Sequence, residues 1–248
     1  MKAPAGTERE RLILAGLYLS KYDSVGLREL GFGSFVEAFN VIGYALGSRP
    51  ASIKNYRDEF DPLFPNRRRG WHKRPVRDYC LKVFDQYKEL DLQSFTVLIK
   101  AFLDGEGEDW DDVSDCGEST FAKRLITGLA AEQYFNSVHA GLPEFDNCAL
   151  ENTTRLGCGY DFRLRRRCDS DKFLAVEVKG LRERTGGLSL TPKEHAVAGA
   201  MKDRYFLFVV KNFRESPVHE IFRDPLSGGL QFKRQERNVV QVSWMASV

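Results

Sequence analysis

Asp161, Glu177 and Lys179 are the residues of this chain whose types and spacing could carry chemistry. Hydrolysis of a phosphodiester near neutral pH calls for a divalent cation that activates water and offsets charge on the phosphate. Magnesium is held for this purpose by one or two carboxylates together with substrate oxygens and water. Asp161 stands near the start of one predicted strand, GYDFRLRRR, and Glu177 near the end of the next, KFLAVEVKG. If Cys168 to Asp171 make the turn of a hairpin, both carboxylates come to the same end of a sheet and can share one ion. Residues two apart on a strand point to one face, so Glu177 and Lys179 project together while Val178 faces the core. An ammonium beside the ion can orient the attacking water, lower its pKa, or stabilise charge developing on the phosphate. Phe173, Ala175 and Val178, buried among apolar strands, would supply the platform. Singly, each polar residue has a plainer reading: an Asp after Gly-Tyr often marks a turn, and a strand closing in Glu-Val-Lys can end on a cross-strand ion pair. Their combination in this order, with a helix before and a helix and strand after, favours the site.

The elements that must position these residues are mixed. FAKRLITGLAAEQYFNSV reads as a helix, TPKEHAVAGAMK as another, and RYFLFVVKN as a third strand. Thr191 can cap its helix, Pro192 takes the first position, and Glu194 lies three residues after the cap, which together make a capping box. Upstream, the apolar spacing of ERERLILAGLYLSKY, SFVEAFNVIGYAL, VRDYCLKVFDQYKEL and LQSFTVLIKAFL predicts helices. Gly47 and Ser48 end the helical stretch at Leu46, and Pro50 opens a second helix through SIKNYRDEF, a helix-turn-helix outline. Between 101 and 119 the chain is rich in Asp and Glu and holds no Lys or Arg. Its carboxylates miss the spacing of a calcium loop, so it reads as a solvated acidic connector. The organisation expected is a helical domain over 1–103, a linker over 104–118, and an α/β domain over 119–248, in the α+β class with a mixed central sheet.

Across 248 residues, 42% hydrophobic and 29% charged, the composition is that of a globular chain with a real core. No apolar run approaches a membrane span and no apolar leader opens the chain, so a cytoplasmic location without membrane contact is expected. Five cysteines without a CxxC spacing and four scattered histidines read as free thiols and no zinc site. The net charge of +2 says little about partners, but its distribution says more. Between Arg49 and Asp78 the nine cations Arg49, Lys54, Arg57, Arg67, Arg68, Arg69, Lys73, Arg74 and Arg77 face four acids, with Tyr56, Trp71 and His72 among them. Such a cluster suits phosphate and base contacts on DNA. A solvated basic loop explains the same residues equally well.

The stretch from 157 to 212 resembles the No-Vein C-terminal domain family, a branch of the PD-(D/E)xK nuclease superfamily common in restriction and phage-defence proteins. The resemblance is carried in order by GYDF at 159–162, EVKG at 177–180, SLTPKEHAVA followed by DRYFLFVV, and IFRDPLSGGL at 221–230 as a closing strand and loop. It spans about Thr120 to Trp244 and implies a restriction-endonuclease-like core. There Asp161 and Glu177 bind magnesium, or manganese in its place, and Lys179 is the catalytic lysine. It adds Glu132, in the helical AAEQYF, as a third acid of the metal site. One departure is that Tyr-Asp stands where the superfamily has Pro-Asp, a proline that is dispensable there. The segment from Leu46 to Pro75 is similar to regions that precede nuclease domains in some restriction endonucleases, where they read DNA. Lys54, Asn55 and Arg57 are its candidates for the major groove. The activity implied is that of a type II restriction or defence endonuclease cutting double-stranded DNA as a homodimer, with a cognate DNA methyltransferase as the partner class. A non-cutting DNA-binding or scaffold subunit is the alternative, and an RNA substrate is open because metal chemistry is indifferent to the sugar.

Overall fold

A computed structural model describes residues 7–66, 68, 74–103, 118–166 and 169–236, with backbone alone over 118–125 and 169–171. The helical half begins with α1 (Glu8–Glu29), started by the Thr7 hydroxyl accepting the Glu10 N–H at 3.2 Å. Sequence periodicity ends this helix near Tyr22, whereas the chain continues past a kink at Asp23, φ 47°, to Glu29. Next come α2 (Phe35–Ala45) and α3 (Pro50–Phe60), the pair expected from the outline around Gly47. Their turn closes because Gly47 takes φ 67°, and the Gly47 and Ser48 N–H groups bond the Tyr44 and Gly43 carbonyls, each at 2.8 Å. Gly43 itself must lack a side chain, since a Cβ there would stand 2.9 Å from Pro50 Cα. Then α4 (Asp78–Tyr87) and α5 (Leu92–Leu103) complete this half around Leu14, Leu17, Tyr18, Ile53, Phe60 and Phe95, all at most 1% exposed.

The second half opens with α6 (Glu118–Val138) and continues through β1 (Cys148–Asn152), β2 (Phe162–Arg166) and β3 (Asp169–Gly180). It is completed by α7 (Pro192–Met201), β4 (Tyr205–Lys211) and β5 (Val218–Arg223). The five strands lie in the order of the chain, antiparallel except for β3 and β4, which run parallel. A parallel pair needs a crossover, and α7 supplies it. Strand alternation then divides the sheet. Phe162, Leu164, Val176, Val178, Phe206, Phe208 and Val210 join the core under α6, while Tyr160, Ala175 and Tyr205 gather with Ala198 of α7 on the other face. β3 begins at Asp169, so the turn expected over Cys168–Asp171 starts too late; residues 167 and 168 lie outside those described.

The two halves share one apolar cluster that runs from Ile13 to Phe213. Its seam is α2 against α6, where the Tyr44 ring meets Tyr134 edge-on at 5.1 Å and Phe213 at 6.4 Å. Polar contacts fix the same seam: Asn40 donates from Nδ2 to the Phe213 and Glu215 carbonyls at 2.9 and 3.1 Å. Buried Glu37 receives the Arg182 guanidinium at 2.9 Å and the Gly33 N–H at 2.8 Å. Among the described residues, no helix is long and apolar enough to cross a membrane.

Candidate active site

Two strand ends and two helices bring the predicted residues together. In the register Phe162↔Val176, Asp161 continues β2 opposite Glu177, and its own N–H bonds the Val176 carbonyl at 3.0 Å. The Asp161 carboxylate turns back over β3 and accepts the Val178 N–H at 2.8 Å. Glu177 is 3% exposed and presents its carboxylate to the Lys179 ammonium, Oε1 to Nζ 2.6 Å, as two residues on one strand face can. Val178 is buried in the core beneath α6, so the strand alternates as expected. Glu132, half-buried on α6, is near enough to act electrostatically on Asp161.

Like charges in a dry corner raise each other's proton affinity. Burial first, and Glu132 second, push the Asp161 carboxyl up to about 7. Burial, then Asp161, push Glu177 up to about 8. Burial works against the Lys179 ammonium, but Glu177 and Glu194 outweigh it and hold its pKa above the ordinary value. Tyr205, fully buried on β4 with its hydroxyl donating to the Gly159 carbonyl at 3.1 Å, is raised by burial and then by Glu177, Glu194 and Asp161.

Glu194 is the site residue that sequence reading missed. The predicted capping box is present: the Thr191 hydroxyl accepts the Glu194 N–H at 3.2 Å, and Glu194 Oε2 accepts the Thr191 N–H at 2.9 Å. The same Oε2 also takes the Lys179 ammonium at 2.9 Å. The signal was available in the sequence, because a capping Glu placed by a β-α-β crossover returns to the carboxyl end of the strand before it.

The donor set suits a hard divalent cation, since Asp161, Glu177, Glu132 and Glu194 offer only oxygen and their charge exceeds that of Lys179. Among the described residues, however, no three His, Cys, Asp or Glu side chains are arranged to hold a metal by themselves. A cation here would rest on two carboxylates at most from the protein, with its other positions left to substrate and water.

The cations expected on DNA are distributed otherwise. Arg57 is 9% exposed, pairs with Asp58 at 2.6 Å, and lies over the Phe35 and Phe39 rings at 5.0 and 4.9 Å. Lys54 joins the same Asp58 at 2.6 Å. Arg68 bridges Asp61 and Asp23 at 2.7 and 2.8 Å, and Arg74 bonds Glu59 at 2.8 Å. These pairs tie α3 and the chain after it together. Burial raises the proton affinity of Asp58, but Lys54 and Arg57 outweigh it and hold the carboxyl below the usual range. Arg49 and Asn55 are exposed at the start and along the outer face of α3. Arg67, Arg69 and Lys73, with Trp71 and His72, lie outside the described residues.

Residues 131–222, just over a third of the chain, match the family model described as Protein NO VEIN, C-terminal. The matched span begins one residue before Glu132 and ends within β5, so it takes in Asp161, Glu177, Lys179 and Glu194. No curated protein and no solved structure matches the chain.

Proposed function

We propose that this chain is a magnesium-dependent endonuclease of the PD-(D/E)xK type that hydrolyses double-stranded DNA in a restriction or defence setting. The observation that carries the reading is the convergence of Asp161 and Glu177 from neighbouring strands, with the Lys179 ammonium 2.6 Å from Glu177. The match of residues 131–222 to a domain family linked to nuclease-like proteins supports it.

In this reading Asp161 and Glu177 hold the ion, with Glu132 adding negative charge from α6. When bound, magnesium, or manganese in its place, supplies activation of water and neutralisation of phosphate charge. Lys179 presents an ammonium where a phosphate oxygen or the attacking water would lie, and stabilises the charge that grows in the transition state. The Val178 N–H fixes the orientation of Asp161, and α7 fixes Lys179 through Glu194. DNA reaches the site along the helical half, where exposed Arg49 and Asn55 take the contacts and the paired Lys54, Arg57, Arg68 and Arg74 shape the surface that presents them. Cutting both strands calls for two copies of the chain, one site for each strand.

Digestion of plasmid DNA with and without magnesium tests the proposal. The parent protein is expected to cut only with the ion, and Lys179→Ala to cut at least about 10²-fold more slowly. A Lys179→Ala variant as fast as the parent overturns the assigned roles.

A further inference from the structure

Lys179 is held from two sides. Its Nζ lies 2.6 Å from Glu177 Oε1 on its own strand and 2.9 Å from Glu194 Oε2 on α7. The two carboxylates are not equivalent. Glu177 belongs to the pair proposed to receive a divalent cation, whereas Glu194 is anchored on the far side by the Thr191 N–H at 2.9 Å. That anchor is part of a helix cap, so Glu194 keeps its place whatever the lysine does.

Geometry and charge together give this arrangement a consequence. A dication entering between Asp161 and Glu177 meets an ammonium already occupying one of the Glu177 oxygens. Two cations cannot share that carboxylate closely without strong repulsion in a poorly solvated corner. Side-chain exposures of 4% for Glu177 and 23% for Lys179 leave the lysine little room to escape into water. Glu194, 14% exposed and already within hydrogen-bond distance, offers the compensation that water cannot.

We infer that Glu194 is a positioning residue that receives the Lys179 ammonium when a divalent cation takes over Glu177, so that cation binding and the placing of the lysine are one event. This rests on the metal-dependent reading of the site. Through the same exchange, the lysine guards the empty site by neutralising it and returns when the cation leaves.

Glu194→Gln separates this role from the structural one. Glutamine at the third helical position still accepts the N-cap N–H, so the cap survives and the melting temperature stays within about 2 °C of the parent. The negative charge that receives Lys179 is gone, and calorimetric titration of the full chain with manganese is expected to show about tenfold weaker binding. In a Lys179→Met background the same substitution is expected to change manganese affinity less than about twofold, because Glu194 acts only through the lysine. Thr191→Ala is the structural control: it removes the cap from the other side, lowers the melting temperature by about 2–4 °C, and leaves manganese affinity unchanged. Should Glu194→Gln prove less stable than expected, Thr191→Ala supplies the comparison at similar stability.

Parent-like manganese affinity in Glu194→Gln overturns the inference while leaving the nuclease reading intact. An equal loss of affinity with and without Lys179 also overturns it, since Glu194 would then act on the ion directly. A parent protein that binds no manganese removes the metal-dependent reading and this inference with it.

Discussion

Asp161 and Glu177 are carboxylates that resist ionisation because of where the chain puts them. Their ordinary values, 3.8 and 4.5, rise to about 7 and about 8 through burial first and then through a neighbouring acid, Glu132 for Asp161 and Asp161 for Glu177, against the pull of Lys179. Below about pH 3 both are protonated in the folded and unfolded chain alike, and they cost the fold nothing. Between about pH 3 and 8 the folded protein retains protons that the unfolded chain has released, so the stability contributed by these groups falls as pH rises through that window. Above about pH 8 the penalty is complete. Asp161→Asn keeps an oxygen for the Val178 N–H and removes one of the repelling charges. In chelator at pH 8 it is expected to melt at least about 3 °C above the parent, at roughly 2–4 °C for each kcal/mol recovered in a chain of this size. At pH 3 the two proteins are expected to melt together. Manganese at pH 8 is expected to raise the parent's melting temperature and not that of Asp161→Asn. Thermal melts followed by circular dichroism at the two pH values check all three statements, and a parent more stable than Asp161→Asn at pH 8 would contradict the electrostatic account.

How closely the elements pack decides whether those residues meet. Gly180 ends β3 where α6 crosses it, and a Cβ there would stand 2.6 Å from the Thr127 carbonyl oxygen and 3.1 Å from Ala131 Cβ. Only glycine lets α6 lie flat enough to hold Glu132 near Asp161. Gly180→Ala is expected to push the helix off the strand at a cost of about 1–3 kcal/mol, read from thermal melts, and to depress DNA cutting further than that loss explains. Gly199→Ala, on the exposed side of α7 with its nearest neighbour Leu226 Cδ1 at 3.8 Å, is the control and is expected to be neutral or slightly stabilising. The glycine of the EVKG run was visible in the sequence, but its reason was not, because the atom it avoids lies more than fifty positions upstream. The same distinction separates the other successes from the failures. The turn at Gly47 and the cap at Thr191 were legible because each is closed by residues within five positions. β1 was not, since it is a five-residue, largely exposed edge strand defined only by pairing with β2. The partners of Arg57 and Lys54 lie close by at Asp58, yet a run of cations reads identically whether it faces solvent or its own acids. Glu194 was read correctly as a cap, and its second role was missed because the pairing with Lys179 depends on where the crossover between β3 and β4 returns α7, a placement that the order of elements implies but no local pattern marks.

Across the molecule, the helical half is attached to the sheet half through α2, and the attachment reaches toward the site. Arg182, which pairs with Glu37, lies three residues beyond Lys179 on the loop leaving β3. Asn40, 6% exposed, serves the carbonyls of Phe213 and Glu215 just after β4, the strand that pairs with β3. The helical half and the strand carrying the candidate site are thus linked through α2, by Glu37 to Arg182 and by Asn40 to the chain just after β4. Asn40→Leu conserves approximate size but removes both donors, leaving two carbonyls at a buried seam short of partners. The expected loss is about 1–3 kcal/mol, or roughly 2–12 °C in melting temperature. Because the apolar cluster continues across the seam through Tyr44, Tyr134 and Phe213, the variant is still expected to unfold in one step. Far-ultraviolet dichroism, which follows the helices, and near-ultraviolet dichroism, which follows the packed tyrosines, are then expected to give coincident transitions in the parent and in Asn40→Leu, displaced together. Two separate transitions in the parent would mean that the halves hold their structure independently, and that the seam at α2 does not join them into one cooperative unit.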